Sequence, residues 1–131
     1  MSETDSSGAI MVVMTAGSRE EASRLAEMLV GSHLAACVQI LPEIESVYRW
    51  EGRVHREPEV LLFAKTTRAC FAELEREVRA LHTYDTPEII ALPVTVGSAP
   101  YLEWLNDVVM TPYGARAAER HAESQGEAAD Q

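Results

Sequence analysis

The side chains best suited to chemistry in this sequence are two thiols and four imidazoles: Cys37 and Cys70, with His33, His55, His82 and His121. A thiolate and an imidazole together form a credible ligand pair for copper or zinc. His33, His55 and His121 stand at no ligand spacing from one another or from either cysteine. Cys37 and His82 are far apart in the chain, so any site they share must be built by the fold. Each also has a plain structural reading. Cys37 lies among Ala36, Val38 and Ile40, where a cysteine serves as a small core residue. His82 closes a helical stretch, where an imidazolium favours the helix dipole. Cys70 precedes Phe71 on the same stretch and reads as structural. The seven glycines are scattered, so there is no glycine-rich phosphate loop. No Ser-His-Asp or Cys-His pattern has supporting local context, so the sequence marks no enzyme.

The elements that must position these residues follow from periodicity. Ile10 to Met14 is an apolar run with adjacent valines and reads as a strand buried on both faces. After the turn Thr15-Ala16-Gly17, Ser18 with Glu21 three residues on makes a capping box. Ala22, Leu25, Ala26, Leu29 and Val30 then recur at helical spacing, giving a helix over Arg19 to Val30 with Gly31 as its stop. Leu34 to Tyr48 is rich in β-formers, and Pro42 predicts a bulge or bend there. Trp50-Glu51-Gly52-Arg53 reads as a turn, and Val60 to Thr66 as the returning arm of a long hairpin. Thr67 is placed to cap a second helix, Arg68 to about His82, with Phe71, Leu74, Val78 and Leu81 as its apolar stripe. Ile89 to Val96 is a last strand, with Pro93 marking an edge or bulge. Ser98 starts a short helix over Tyr101, Leu105 and Val108.

Strand, helix, strand, strand, helix, strand is the split βαβ, ferredoxin-like α+β pattern. It lays two helices on one face of a four-stranded antiparallel sheet. In the hairpin, Cys37 and Leu41 face away from Val38 and Ile40, and Val60 and Leu62 face away from Leu61 and Phe63. Both sheet faces are therefore apolar, yet two helices cover only one. A bare apolar face of that size exceeds what a monomer usually exposes, so the chain should self-associate.

The bulk numbers narrow the classes. A chain of 131 residues with 47% apolar content fits one domain. Its 21 acidic and 11 basic side chains give a net charge of −10, which argues against nucleic acid and anionic membrane surfaces as partners. No apolar run approaches a membrane span. The start of the chain has neither the basic residues nor the apolar core of a secretory signal. Two cysteines make no disulfide framework, so a cytoplasmic location is expected. Residues 1–9 read as a flexible tail, 10–110 as the domain, and 111–131 as a disordered tail.

Several separated motifs agree with one family. At Ala35-Ala36-Cys37-Val38, Tyr48-Arg49-Trp50-Glu51-Gly52, Lys65-Thr66-Thr67 and His82-Thr83-Tyr84-Asp85-Thr86-Pro87-Glu88-Ile89-Ile90, the chain resembles the CutA divalent-cation tolerance family. Leu92-Pro93-Val94 and Tyr101-Leu102-Glu103-Trp104-Leu105 continue the match. The resemblance implies a ferredoxin-like subunit in a PII-like homotrimer whose long hairpin pairs with neighbouring subunits. It implies binding of copper or another divalent metal, a role in metal tolerance, and no established catalysis. Cys37 and His82 are the metal candidates that match the family. Lys65, Tyr84 and Glu59 resemble polar residues near its subunit clefts. There Lys65 could hold an anion, as in a PII-like sensor of a small anionic metabolite or nucleotide, or form an ion pair between subunits with Glu59 or Glu88. A third reading is a stable scaffold whose tails recruit partners. Two departures stand out: Thr83 replaces the proline common between the histidine and tyrosine, and Met14 stands where some metal-binding members carry a cysteine. A thioether serves Cu(I) but is a poor ligand for Cu(II) or Zn(II).

Overall fold

A computed structural model describes residues 8–109. The tail expected over 111–131 lies outside those residues, as do residues 1–7 of the tail expected over 1–9, whose last residue, Ala9, is instead in the first strand. The first strand begins one residue before the expected Ile10. β1 (Ala9–Ala16) runs into α1 (Arg19–Gly31). β2 (Cys37–Trp50) and β3 (Arg53–Thr67) form the long hairpin. A single 3-10 turn, Arg68–Cys70, leads into α2 (Phe71–Leu81). β4 (Ile89–Pro93) and α3 (Ala99–Val108) complete the described chain. The sheet order is β2-β3-β1-β4, with every neighbouring pair antiparallel. This is the split βαβ, ferredoxin-like arrangement.

Local chemistry explains the boundaries. The Ser18 hydroxyl accepts the Glu21 amide at 3.1 Å, as a capping box requires. The return arm differs: Glu21 Oε1 accepts from Gly17, not from Ser18. Helix α1 does not stop on a left-handed Gly31. His33 takes that conformation (φ 62), with its amide bonded to the Val30 carbonyl and the Leu34 amide to the Leu29 carbonyl. That pair of bonds is a Schellman motif with histidine where glycine is usual. The His33 Nδ1 lies 3.1 Å from the Val108 carbonyl, which ties this cap to the end of α3. Thr67 precedes the 3-10 turn but caps nothing through its side chain; its hydroxyl donates to Cys70 Sγ.

The hairpin is longer than expected on its return arm, which starts at Arg53 and not at Val60. Glu51 and Gly52 both have positive φ, so the tip is a two-residue turn of the kind that matches strand twist. At Pro42 the register slips: Leu41 faces Leu61 but Ile44 faces Glu59, leaving one extra residue on β2. Beyond that bulge the side-chain alternation of β2 is inverted, so Ser46 and Tyr48 share a face with Glu59. β4 is an edge strand and ends at Pro93, which has no amide to extend the ladder.

Helices α1 and α2 cover one sheet face. Ala22, Leu25, Leu29, Leu74 and Val78 pack there on Ile10, Val12, Met14, Val60, Leu62 and Ala64. The opposite face is not wholly bare. Leu102 and Leu105 of α3 pack with Ala9, Ala36 and Val94, so the short helix covers one end of it. The middle stays open: Leu41, Ile90 and Leu92 are 38%, 54% and 48% exposed, beside half-buried Val13, Leu61 and Phe63.

Candidate functional site

The loop after α2 is organised by a buried acid that sequence reasoning treated only as a cap. Glu21 is 3% exposed. Its Oε2 accepts the Thr83 amide at 2.7 Å, and its Oε1 accepts the Thr83 hydroxyl and the Gly17 amide, each at 3.2 Å. Burial pushes the Glu21 carboxyl up, but the Thr83 and Gly17 donors outweigh it and hold the group below its ordinary value. The signal for this role was present as Ser-Arg-Glu-Glu, but only the fold brings Thr83 to it.

His82 ends α2 with extended backbone (φ −71, ψ 143) and turns its ring inward, fully buried. Nε2 lies 2.8 Å from the Thr15 carbonyl, to which it must donate. Nδ1 accepts the Tyr84 amide at 3.0 Å and stands 3.4 Å from Glu21 Oε2. This arrangement assigns the Nε2–H tautomer and engages both ring nitrogens. Tyr84 packs at 4.7 Å from the His82 ring and donates its hydroxyl to Glu59 Oε2 at 2.9 Å. Gly17 makes room for it: a Cβ there would meet the Tyr84 hydroxyl at 3.1 Å. Burial first, then the Glu59 hydrogen bond and charge, push the Tyr84 phenol far up, so it stays protonated.

Cys37 stands elsewhere. It pairs with Lys65, which pairs with Met11, whereas His82 is bonded at Thr15. Four residues along β1 separate those levels by about 13 Å, and Cys37 is two strands across. One subunit therefore does not bring Cys37 and His82 together, and no three metal-ligating side chains cluster among the described residues. Cys37 is a half-buried thiol. Met14 is wholly buried under the helices and does not share its face.

The cleft candidates divide in the same way. Glu59 and Tyr84 are joined, while Lys65 sits at the other end with its Nζ 5.8 Å from the Tyr101 ring centre. Lys65 makes no ion pair with Glu59 or Glu88 in this subunit. It belongs instead to an apolar cavity of about 220 Å³ closed by Met11, Val94, Tyr101 and Leu105.

The fold defines the class: a small ferredoxin-like, PII-like α+β subunit with helices on one face and an apolar patch on the other. Within that class, the chain belongs to the CutA1 divalent ion tolerance protein family, whose pattern matches residues 10–108. Protein CutA, chloroplastic, of Arabidopsis thaliana is 50% identical over 98 residues, which is 75% of this chain and 54% of that protein. The chain thus spans about half the length of that relative. The divalent-cation tolerance protein CutA of Thermus thermophilus is 46% identical over 74% of this chain and 94% of its own length. The solved structure of the divalent cation tolerance protein from Thermus thermophilus superposes with a TM-score of 0.77 at 44% identity, covering 78% of this chain and 99% of that one. Among the described residues, no helix is long and apolar enough to cross a membrane.

Proposed function

We propose that this chain serves divalent-cation tolerance as a homotrimer that binds copper, with the assembly and not the single subunit as the binding unit. The observation that carries the reading is the open middle of the second sheet face. Leu41, Ile90 and Leu92 stand exposed next to Val13, Leu61 and Phe63, and a stable protein covers such a row with another surface. The number three comes from the family resemblance. Cys37 and His82 remain the ligand candidates, since thiolate and imidazole suit copper and zinc. Their separation within one subunit means that a shared ion needs ligands from different subunits or release of His82 from Thr15 and Tyr84. The role is one of binding and not catalysis, and the cytoplasm is the compartment that two thiols suit.

A second reading has one observation in its favour. The Lys65 ammonium has no carboxylate partner among the described residues and lies over Tyr101, so a small anionic metabolite could bind there.

Sedimentation velocity at micromolar protein tests the assembly: a species of three subunit masses is expected, and a well-folded single subunit would refute it. Titration with Cu(I) tests the ligands. Cys37→Ala and His82→Ala should each weaken binding at least tenfold, about 1.4 kcal/mol. Unchanged affinity in both variants removes those residues from the role.

A further inference from the structure

The hairpin outruns the rest of the sheet. β1 pairs with β3 as far as Ala16 and Val60, so from Glu59 outward β3 has only β2 beside it in the sheet. On β2, the register slip between Leu41 and Ile44 falls at the same point, because Ile44 is the partner of Glu59. A bulge bends its strand, and Pro42 within it has no amide to give the ladder. The end of support from β1 and the bulge thus coincide, and that level of the hairpin is a hinge.

Beyond the hinge the arm is tied to itself. Arg56 Nη1 meets Glu45 Oε1 at 2.9 Å across the two strands, and the rings of Tyr48 and His55 stack at 5.3 Å. Residues 47–54 are all exposed, so no packed surface of the subunit steadies them. A two-stranded ribbon by itself is marginally stable in water. The Tyr84 hydroxyl reaches the hinge from outside the hairpin and donates to Glu59 Oε2 at 2.9 Å. The loop that carries Tyr84 is firmly held, since three consecutive residues bond to three different elements. His82 donates to the Thr15 carbonyl of β1, Thr83 to Glu21 of α1, and Tyr84 to Glu59 of β3. Burial foremost keeps the Tyr84 phenol protonated, so it can donate throughout the ordinary pH range.

We infer that the Tyr84–Glu59 hydrogen bond is a brace that fixes the order and angle of the hairpin arm against the sheet, with the loop at residues 82–84 as its anchor. The device lies within one subunit and does not rest on copper binding or on the number of subunits.

Amide hydrogen exchange on the full chain tests it. Tyr84→Phe removes the hydroxyl alone. Ladder amides over residues 47–56 should then exchange at least about fivefold faster, while those of Val12 and Leu62 in the core keep their wild-type rates. Glu59→Ala should match that change, and Glu59→Gln, which keeps an acceptor oxygen, should stay close to wild type. Tyr84→Phe combined with Glu59→Ala should be no faster than either alone, because both remove the same bond. Unchanged exchange in the arm, a core that quickens by the same factor, or additive effects in the double variant would overturn the brace. So would Glu59→Gln exchanging as fast as Glu59→Ala, since the effect would then belong to the charge and not to the bond.

Discussion

Thr83 donates both its amide and its hydroxyl to the buried carboxylate of Glu21, at 2.7 and 3.2 Å. The two residues come from opposite halves of the domain, so this contact pins the loop after α2 to the start of α1. It also gives a reason for a threonine at this position. A proline there would have no amide to offer.

Thr83→Pro should therefore destabilise the protein. The residue before it, His82, already has the extended backbone that a following proline demands (φ −71, ψ 143). The lost amide bond to a charged acceptor is worth about 1.5–3 kcal/mol, and the longer hydroxyl bond is lost with it. Reduced freedom of the unfolded chain returns about 0.4–1 kcal/mol. A net loss of at least about 1–2 kcal/mol is expected from denaturant unfolding at fixed protein concentration. An unchanged midpoint would show that the Thr83 contacts to Glu21 contribute nothing.

The same carboxylate sets a pH dependence. Glu21 is held below its ordinary value of 4.5 in the fold, so the native state favours its ionised form. Its contribution is complete above the unfolded value and fades as pH falls through the lower folded value. The stability difference between the wild type and Glu21→Gln should be constant near neutrality and shrink below pH 4.5. Denaturation midpoints of the two proteins across that range supply the check, and a difference that grew in acid would reverse the sign.

His33 offers a test of the α1–α3 tie. A left-handed conformation costs a non-glycine residue about 1–2 kcal/mol, so glycine relieves strain there while alanine keeps it. Both substitutions remove the bond to the Val108 carbonyl, worth about 1 kcal/mol. His33→Gly should be close to neutral and His33→Ala destabilising by about 1 kcal/mol. Amide exchange in α3 should quicken in both, and unchanged exchange would deny the tie.

Ile90 probes the open face without touching the core. It is 54% exposed in the subunit, so Ile90→Glu should cost the isolated fold less than about 0.5 kcal/mol. In an assembled protein the same charge would be buried without a partner, which is strongly unfavourable. Sedimentation should show the variant shifted to smaller species with its circular dichroism intact. A variant that assembles like the wild type would place the interface elsewhere.

Local pattern was enough to reveal most of the architecture. The Ser18 cap, the 3.6-residue stripes of α1 and α2, the bulge at Pro42 and the edge signal of Pro93 all follow from interactions within a few residues, which is why they were readable before any fold was known, although the last strand ends at Pro93 and not at the expected Val96. The family motifs gave the candidate residues Cys37, His82, Lys65, Tyr84 and Glu59. What these residues touch was not readable, because it depends on register. One extra residue at the bulge inverts the alternation of β2 and puts Tyr48 on the face of Glu59. Antiparallel pairing sets Cys37 at the level of Met11 and leaves His82 at the level of Thr15. The sequence alone determined which elements form and that one sheet face exceeds its helical cover. Only the tertiary structure decided which polar groups meet, since hydrogen bonds between residues such as Glu21 and Thr83 join segments whose separation in the chain carries no periodic trace.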